Sequence, residues 1–406
     1  MNAPIVIIGA GQAGLQTAEA LRSEGHDGPV LMLGAEAHAP YHRPPLSKAY
    51  LLGDYAQAQL TIRSPQALEK KHIEFRPGVT VSAIDRTARQ LKLADGSSLE
   101  YSGLCLATGA RARPLPVPGG ECANVLPLRT LDDTQRIAAA LPQVHQVVVI
   151  GGGFIGLEFA AVARKLGKTV TVLEAAPRLM ARAVTPALSD FYRDLHRAHG
   201  VAIELDAQVA QLAEQDGRAT AVLTTDGRVF PADLVIVGIG ILANGELAQA
   251  AGLECERGAI VVDACARTND AAIVAAGDCS VQRLADGSFL RLESVQNAVE
   301  QGKSAAAALL GRERPFTAAP WFWSDQYDVK LQMTGLAAGV DRTVWRGEIE
   351  THKFSAFHYR AGRLIAVDSI NRPQDHLPAR KLLDRSLTPT PEQAADIDFA
   401  LERLLA

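Results

Sequence analysis

Two glycine clusters carry the chemistry most open to reading in this sequence: Gly9-x-Gly11-x-x-Gly14 and Gly151-x-Gly153-x-x-Gly156. Glycines at this spacing let a backbone approach a pyrophosphate. A helix opening just after them offers free N–H groups and the positive end of its dipole. Phe154 and Ile155 complete the second turn. Glu174 follows Gly156 by eighteen residues, where an acid takes a ribose hydroxyl. A 2′-phosphate would meet that carboxylate, so Glu174 points to NADH. Arg178 and Arg182 oppose this if they reach a phosphate; the alternative is a solvated basic segment. Glu158 begins the helix behind the second turn, close to where a nicotinamide would lie. Its blander reading is an acid favoured by the helix dipole, worth under about 1 kcal/mol. Lys48 follows the proline-fixed turn Arg43-Pro44-Pro45 and could be placed against a cofactor ring, although an isolated lysine is more often solvated.

These residues need strands and helices to hold them. Val147–Ile150 is a β-branched run of the kind buried on both sheet faces. Ile155, Phe159, Val162 and Leu166 have helical spacing, and Thr169–Leu173 is the next strand. The same unit appears earlier as the strand Ile5–Ile8, a helix from Leu15 and the strand Val30–Leu33. That strand ends in Gly34-Ala35-Glu36, so Ala35 stands where a ribose-binding acid is expected and Glu36 comes one place late. Two such units imply two dinucleotides. Pro44-Pro45 enforces an extended turn, with a helix from Leu46. Further strands are expected at Val79–Ile84, Gln90–Leu93, Ser98–Tyr101 and Leu104–Ala107, the last ending in Thr108-Gly109. Ala110–Gly119 reads as a linker, and Thr130 caps a helix through Leu141. Thr185 is an N-cap with Pro186 at the first helical position, and Gly200 stops that helix. Strands follow at Ala202–Leu205, Ala221–Thr224 and Leu234–Val237, the last ending in Gly238-Ile239-Gly240. Ile273–Ala276 leads into Gly277-Asp278, a carboxylate at the sheet edge where ligands bind. Ser294–Leu310 is an alanine-rich helix. Beyond Pro315 come Trp321-Phe-Trp-Ser-Asp-Gln326, strands at Lys330–Gly335, Thr343–Arg346, Lys353–Tyr359 and Leu364–Ser369, and two helices. The second opens on Thr390-Pro391-Glu392-Gln393, a capping box.

Composition bounds the function. A chain of 406 residues holds two to three domains, and 48 % hydrophobic with 21 % charged content is ordinary for a globular protein. A net charge of −4 gives no reason to expect nucleic acid or an anionic membrane. No apolar run is long enough to span a bilayer, and the N-terminus goes straight into a strand, so a cytoplasmic location is expected. The five cysteines, Cys105, Cys122, Cys255, Cys265 and Cys279, form no C-x-x-C. That argues against a disulfide framework, a metal or iron–sulfur site, and a redox dithiol.

Taken together, Pro44-Pro-Leu-Ser-Lys48, Ala107-Thr108-Gly109, Gly156-Leu-Glu158, Gly277-Asp278-Cys279, Glu293-Ser-Val295-Gln-Asn297 and Trp321–Gln326 resemble the NADH-dependent ferredoxin reductases of the putidaredoxin reductase type. The match runs the whole length. It implies an α/β fold with two Rossmann-like dinucleotide-binding domains, glutathione-reductase-like, plus a C-terminal α+β domain. An FAD domain (1–112 and 242–315) is interrupted by an NAD domain (113–241), and 316–406 covers the flavin and docks the partner. By resemblance FAD is held at Gly9, Gly11, Ala13 and Gly14, at Arg43, at Val81 through its main chain, at Ala107, Thr108 and Gly109, at Arg129, at Gly277 and Asp278 on the ribityl chain, and at Val295 by the ring. Lys48 and Trp323 lie beside the flavin. Gly151, Gly153, Phe154, Ile155, Gly156, Glu158, Glu174, Arg182 and Gly240 serve NAD. Two positions depart from the family: Ala35 replaces its acid, with Glu36 as substitute, and Ala243-Asn244 stands for Pro-Asn.

The activity so implied takes a hydride from NADH and passes single electrons through FAD to a [2Fe–2S] ferredoxin serving a cytochrome P-450 type monooxygenase or a Rieske dioxygenase. Lys48, Glu158 and Trp323 are the catalytic candidates. An unpaired charge near the rings would be costly, so Lys48 and Glu158 are expected to pair. On a strand Trp321 and Trp323 share a face, with Phe322 opposite. Trp323 is the expected electron exit; the alternative is that paired tryptophans simply fill a core. Ferredoxins are generally acidic, and Lys303, Arg312, Arg314 and Lys330 flank this motif. An NADH oxidase or peroxidase would need a cysteine near the flavin, and residues 34–52 have none. A signalling NADH-binding flavoprotein would show a basic surface or targeting segment. No nucleic acid, membrane or metal is expected, and the chain is read as a monomer or weak homodimer.

Overall fold

The computed structural model describes residues 3–405. The chain forms two compact units. The first comprises Met1–His42, Gln57–Arg111 and Leu242–Ala318; the second comprises Arg43–Ala56, Ala112–Ile241 and Ala319–Ala406.

The first unit is built on a five-stranded parallel sheet in the order Ile273–Ala275, Gly103–Leu106, Ile5–Ile8, Val30–Gly34, Ile73–Pro77. Nearly every side chain of the inner strands is buried, which is why they read as continuous β-branched and leucine runs. The helices Gln12–Ser23 and Val295–Leu309 lie against each other. A methyl group on Gly302 would sit 2.9 Å from both the Ala13 carbonyl and the Gln16 Cβ, so small residues allow this approach. Ser294 caps the second helix by accepting from the Asn297 N–H.

The second unit repeats the plan. Its parallel sheet runs Ala202–Glu204, Thr169–Leu173, Gln146–Ile150, Leu234–Val237, Val125–Pro127, with the helix Phe154–Lys165 joining two of its strands. A five-stranded antiparallel sheet follows in the order Trp321–Gln326, Val329–Gly335, Arg363–Ile370, Lys353–Arg360, Arg342–Glu348.

Several local expectations change. Pro44–Ser47 is a 3₁₀ turn, not an extended one, because the fixed φ of proline suits its opening positions. Thr185 precedes the helix Pro186–Ala198 as expected, yet its buried hydroxyl makes no cap bond. Val209–Gln215 forms a strand that the sequence did not announce. Leu212 is its one buried side chain, so no alternation marks it. The expected linker begins with a short strand, Ala110–Ala112. The closing helix from Pro391 stops at Ala395. Beyond it the carbonyls of Asp396, Ile397 and Phe399 turn to the buried Arg346 guanidinium, which also donates to Asp375 at 3.0 Å.

Arg346 therefore clamps the end of the chain to the sheet. Arg346→Ala leaves the buried Asp375 with only Arg372 and the Ser355 hydroxyl and is expected to cost roughly 3 kcal/mol. Urea unfolding measures the loss, and hydrogen exchange should quicken over residues 391–405. A midpoint unchanged from the parent chain would remove the clamp from the account.

Candidate functional site

The two glycine turns share one geometry. Gly9 has φ +114°, and a Cβ there would lie 2.0 Å from the Ala107 carbonyl oxygen; on Gly14 it would lie 1.9 Å from the Gly9 oxygen. Gly151 has φ +106°, and the matching distances are 2.4 Å to the Gly238 oxygen for Gly151 and 2.2 Å to the Gly151 oxygen for Gly156. The outer glycines are thus demanded by neighbouring backbone. The middle ones are not: a Cβ on Gly11 or Gly153 meets nothing within 4 Å. Each middle glycine is also the N-cap of its helix, with no side chain capping that end. Open space against an uncapped helix start is what a diphosphate fits.

In the first unit, Thr108 Oγ1 donates to the Asn244 carbonyl at 2.6 Å, and Asn244 Nδ2 returns a bond to the Thr108 carbonyl. Asn244 so holds the Ala107-Thr108-Gly109 turn even with Ala243 before it. A Cβ on Gly277 would be 2.9 Å from the Ala13 Cβ, and the Gly277 N–H donates to the buried Gln301 Oε1. Asp278 follows, half-buried at the end of a strand of the same sheet as the Gly9 turn. Val295 opens the helix capped by Ser294, and Val81 opens the strand Val81–Asp85. Glu36 accepts from the Tyr41 hydroxyl at 2.5 Å. Tyr41 was not singled out from sequence; its only signal was its place in the Pro40–Pro45 run.

In the second unit, Glu174 Oε2 accepts from the Gly152 N–H at 2.7 Å and Oε1 from the Ala176 N–H at 2.8 Å. Two main-chain donors therefore fix its carboxylate beside the turn. Arg178 is spent on the chain itself, donating to the carbonyls of Val184 and Ala181 and to Ser189 Oγ. Arg182 is exposed, and a Cβ on Gly240 would come 3.5 Å from its Nη2. Ile155 is 43 % exposed on the turn. Arg43 Nη1 donates to the Arg129 carbonyl at 3.0 Å.

The structure brings Lys48 and Glu158 together. Glu158 is 2 % exposed. Its Oε2 receives Lys48 Nζ at 2.6 Å and Ser47 Oγ at 2.6 Å; its Oε1 receives Ser324 Oγ at 2.7 Å. This is no solvated acid at a helix start. The Trp321–Gln326 strand supplies Ser324 through its alternation. Phe322 packs on Phe154 with centroids 4.8 Å apart, and Ser324 and Gln326 share that face. Trp321 and Trp323 take the other face, stacked at 5.4 Å, with the Arg380 guanidinium 4.6 Å over Trp321. Arg380, from the helix Pro373–Asp384, was also missed by sequence reasoning. Of the cations expected to dock a partner, Lys303 and Arg314 both pair with Glu300, and Arg312 pairs with Glu24. Lys330 is exposed on the C-terminal sheet.

Residues 3–302 match the family described as pyridine nucleotide-disulphide oxidoreductase, and residues 321–405 match its reductase C-terminal domain. The chain belongs to the pyridine nucleotide-disulphide oxidoreductase family. This oxidoreductase is 46 % identical over 403 residues to rhodocoxin reductase of Rhodococcus erythropolis, covering 99 % of this chain and 94 % of that one. The crystal structure of the ferredoxin reductase for the CYP199A2 system of Rhodopseudomonas palustris superposes with a TM-score of 0.97 at 44 % identity, over 100 % of both chains. A covalent putidaredoxin reductase–putidaredoxin complex superposes with a TM-score of 0.95 at 41 % identity, over 100 % of this chain and 98 % of that one. No helix among the described residues of this oxidoreductase is long and apolar enough to cross a membrane. All five cysteines are free thiols. Burial pushes Cys105 up to about 12 and raises Cys279, which keeps both protonated and unreactive near neutral pH.

Burial also pushes the His196 imidazole down to about 4. An unfolded chain binds that proton near 6.5, so acidification stabilises the unfolded state first. Stability is expected to fall between about pH 6.5 and pH 4, by on the order of 3 kcal/mol from this group. Thermal melts across that range should show a flatter decline in His196→Gln than in the parent; parallel curves would assign the acid sensitivity elsewhere.

Proposed function

We propose that this oxidoreductase is an FAD-dependent NADH:ferredoxin reductase, delivering electrons to a [2Fe–2S] ferredoxin that feeds a cytochrome P-450 type monooxygenase or a Rieske dioxygenase. The carrying observation is two open diphosphate cradles in a chain whose thiols are buried or scattered. Two dinucleotides fit, and no C-x-x-C pair stands ready for dithiol chemistry, with Cys105 and Cys279 fully buried. FAD, when bound, supplies the conversion of a hydride pair into single electrons.

In this reading residues 1–112 and 242–315 bind FAD, 113–241 bind NADH, and 316–406 dock the partner. The Gly9–Gly14 turn takes the FAD diphosphate, Asp278 the ribityl hydroxyls, and Glu36 the adenosine ribose in place of the absent acid at Ala35. The Gly151–Gly156 turn takes the NADH diphosphate. Glu158 and Lys48 orient the nicotinamide edge and keep water out. Trp323 is the electron exit, and Arg380 and Lys330 are the cations beside it that meet an acidic partner. A soluble carrier of this kind works in the cytoplasm.

Two experiments test the reading. With a [2Fe–2S] ferredoxin added, the yellow protein should reduce cytochrome c at the expense of NADH, and Trp323→Ala should slow that reaction at least about tenfold while NADH bleaching of the flavin stays nearly intact. Equal losses in both half-reactions, with FAD released, would make Trp323 packing only. The second concerns cofactor choice. Glu174 is fixed beside the turn, and Arg178 is tied down by three bonds within its own segment, so NADH should exceed NADPH in kcat/KM by roughly a hundredfold, with Glu174→Ala narrowing the gap to within about tenfold. Comparable parent values would show that Arg182 recruits the 2′-phosphate.

A further inference from the structure

The contacts of Glu158 continue beyond Ser324. Gln326 Nε2 lies 3.2 Å from Ser324 Oγ, His196 Nε2 lies 2.8 Å from Gln326 Oε1, and the Tyr327 hydroxyl lies 3.2 Å from His196 Nδ1. Ser324, Gln326 and His196 are all buried. Tyr327 stacks on His199 at 3.6 Å and lines a cavity of about 390 Å³ with Arg164 and Lys165. The chain so crosses from the buried carboxylate to that cavity within the second unit.

Hydrogen-bond chemistry gives it one direction. A carboxylate only accepts, so the single Ser324 proton goes to Glu158. The Ser324 oxygen must then accept, which turns the Gln326 amide nitrogen toward it. Gln326 Oε1 needs a donor, and neutral His196 supplies one only as the Nε2–H tautomer. Its Nδ1 then accepts from Tyr327. Every donor points toward Glu158. The other groups facing these residues are Lys48 and Ser47 on Glu158, and His199 near His196. The buried Tyr192 phenol also feels the Glu158 charge, but its hydroxyl has no partner, so it is not a link.

We infer that His196 is a positioning residue for hydride transfer. Held in one tautomer by Tyr327, it fixes the Gln326 amide and the Ser324 hydroxyl, so that Glu158 keeps one carboxylate orientation beside Lys48. This rests on the proposed role of Glu158 at the nicotinamide.

Stopped-flow reduction of the bound flavin by NADH tests it in the holoenzyme. His196→Leu should slow the limiting rate roughly tenfold with NADH affinity changed less than about twofold, and His196→Gln, which keeps an N–H donor, should recover most of it. In a Glu158→Gln background His196→Leu should add nothing, since its effect passes through that carboxylate. Tyr327→Phe removes only a hydroxyl at the cavity end and carries the same cycle if His196→Leu does not fold, with an expected loss of about threefold. Histidine ¹⁵N spectra should show His196 as the neutral Nε2–H tautomer, with the Nδ1 signal moved in Tyr327→Phe. Equal losses with and without Glu158, or an Nδ1–H tautomer, would overturn the inference. Full-rate reduction in Glu158→Gln alone would instead overturn the functional reading beneath it.

Discussion

A carboxylate taken out of water costs several kcal/mol unless donors meet it, and Glu158 is met by three. Those donors come from two segments far apart in the chain, Ser47-Lys48 and Ser324. Much of the second unit follows from gathering them. The 3₁₀ turn Pro44–Ser47 presents Ser47 and Lys48 side by side, and the Arg43–Ala56 segment groups with the second unit although its sequence neighbours lie in the first. Strand alternation then sends Phe322, Ser324 and Gln326 to the helix face and leaves both tryptophans on the other. One buried charge thus constrains the turn, the helix register and the aromatic face together.

The parts legible in the sequence are those whose requirement is local. The outer glycines of each turn are needed because a neighbouring backbone oxygen occupies the place of a Cβ at its first and third positions, while the middle position is open. Only glycine fits those two outer positions, so the spacing was readable, together with the strands and helix around it. The Thr130 cap and the Thr390 capping box are local in the same way, and both form, the first as a full box with Asp133. Thr185 shows the limit: position and residue type fit a cap, but its buried hydroxyl makes no bond to the helix start.

What was not legible is mostly the destination of long side chains. Arg178 and Arg182 look alike in sequence. One is consumed by two carbonyls and a serine, while the other stays exposed near Gly240. Lys303, Arg312 and Arg314 likewise read as a basic flank, yet each has an acidic partner distant enough in the chain or hidden enough in a helix to escape notice. Flexible stems reach many partners, so their choice is a property of the folded surface.

That choice bears on how a partner could be recognised. Surface pairs such as these are screened and individually weak, so the cations in them are partly neutralised toward an incoming acidic protein. Arg380 differs, because its guanidinium is held over the Trp321 ring, where the stacking orients it without cancelling its charge. Trp321 in turn stacks on Trp323. In the proposed reading, with Trp323 as the electron exit, a cation fixed to Trp321 beside it would couple docking to transfer. An acidic surface drawn to Arg380 would arrive against the tryptophans, and less side-chain freedom would be lost on binding than with a free lysine.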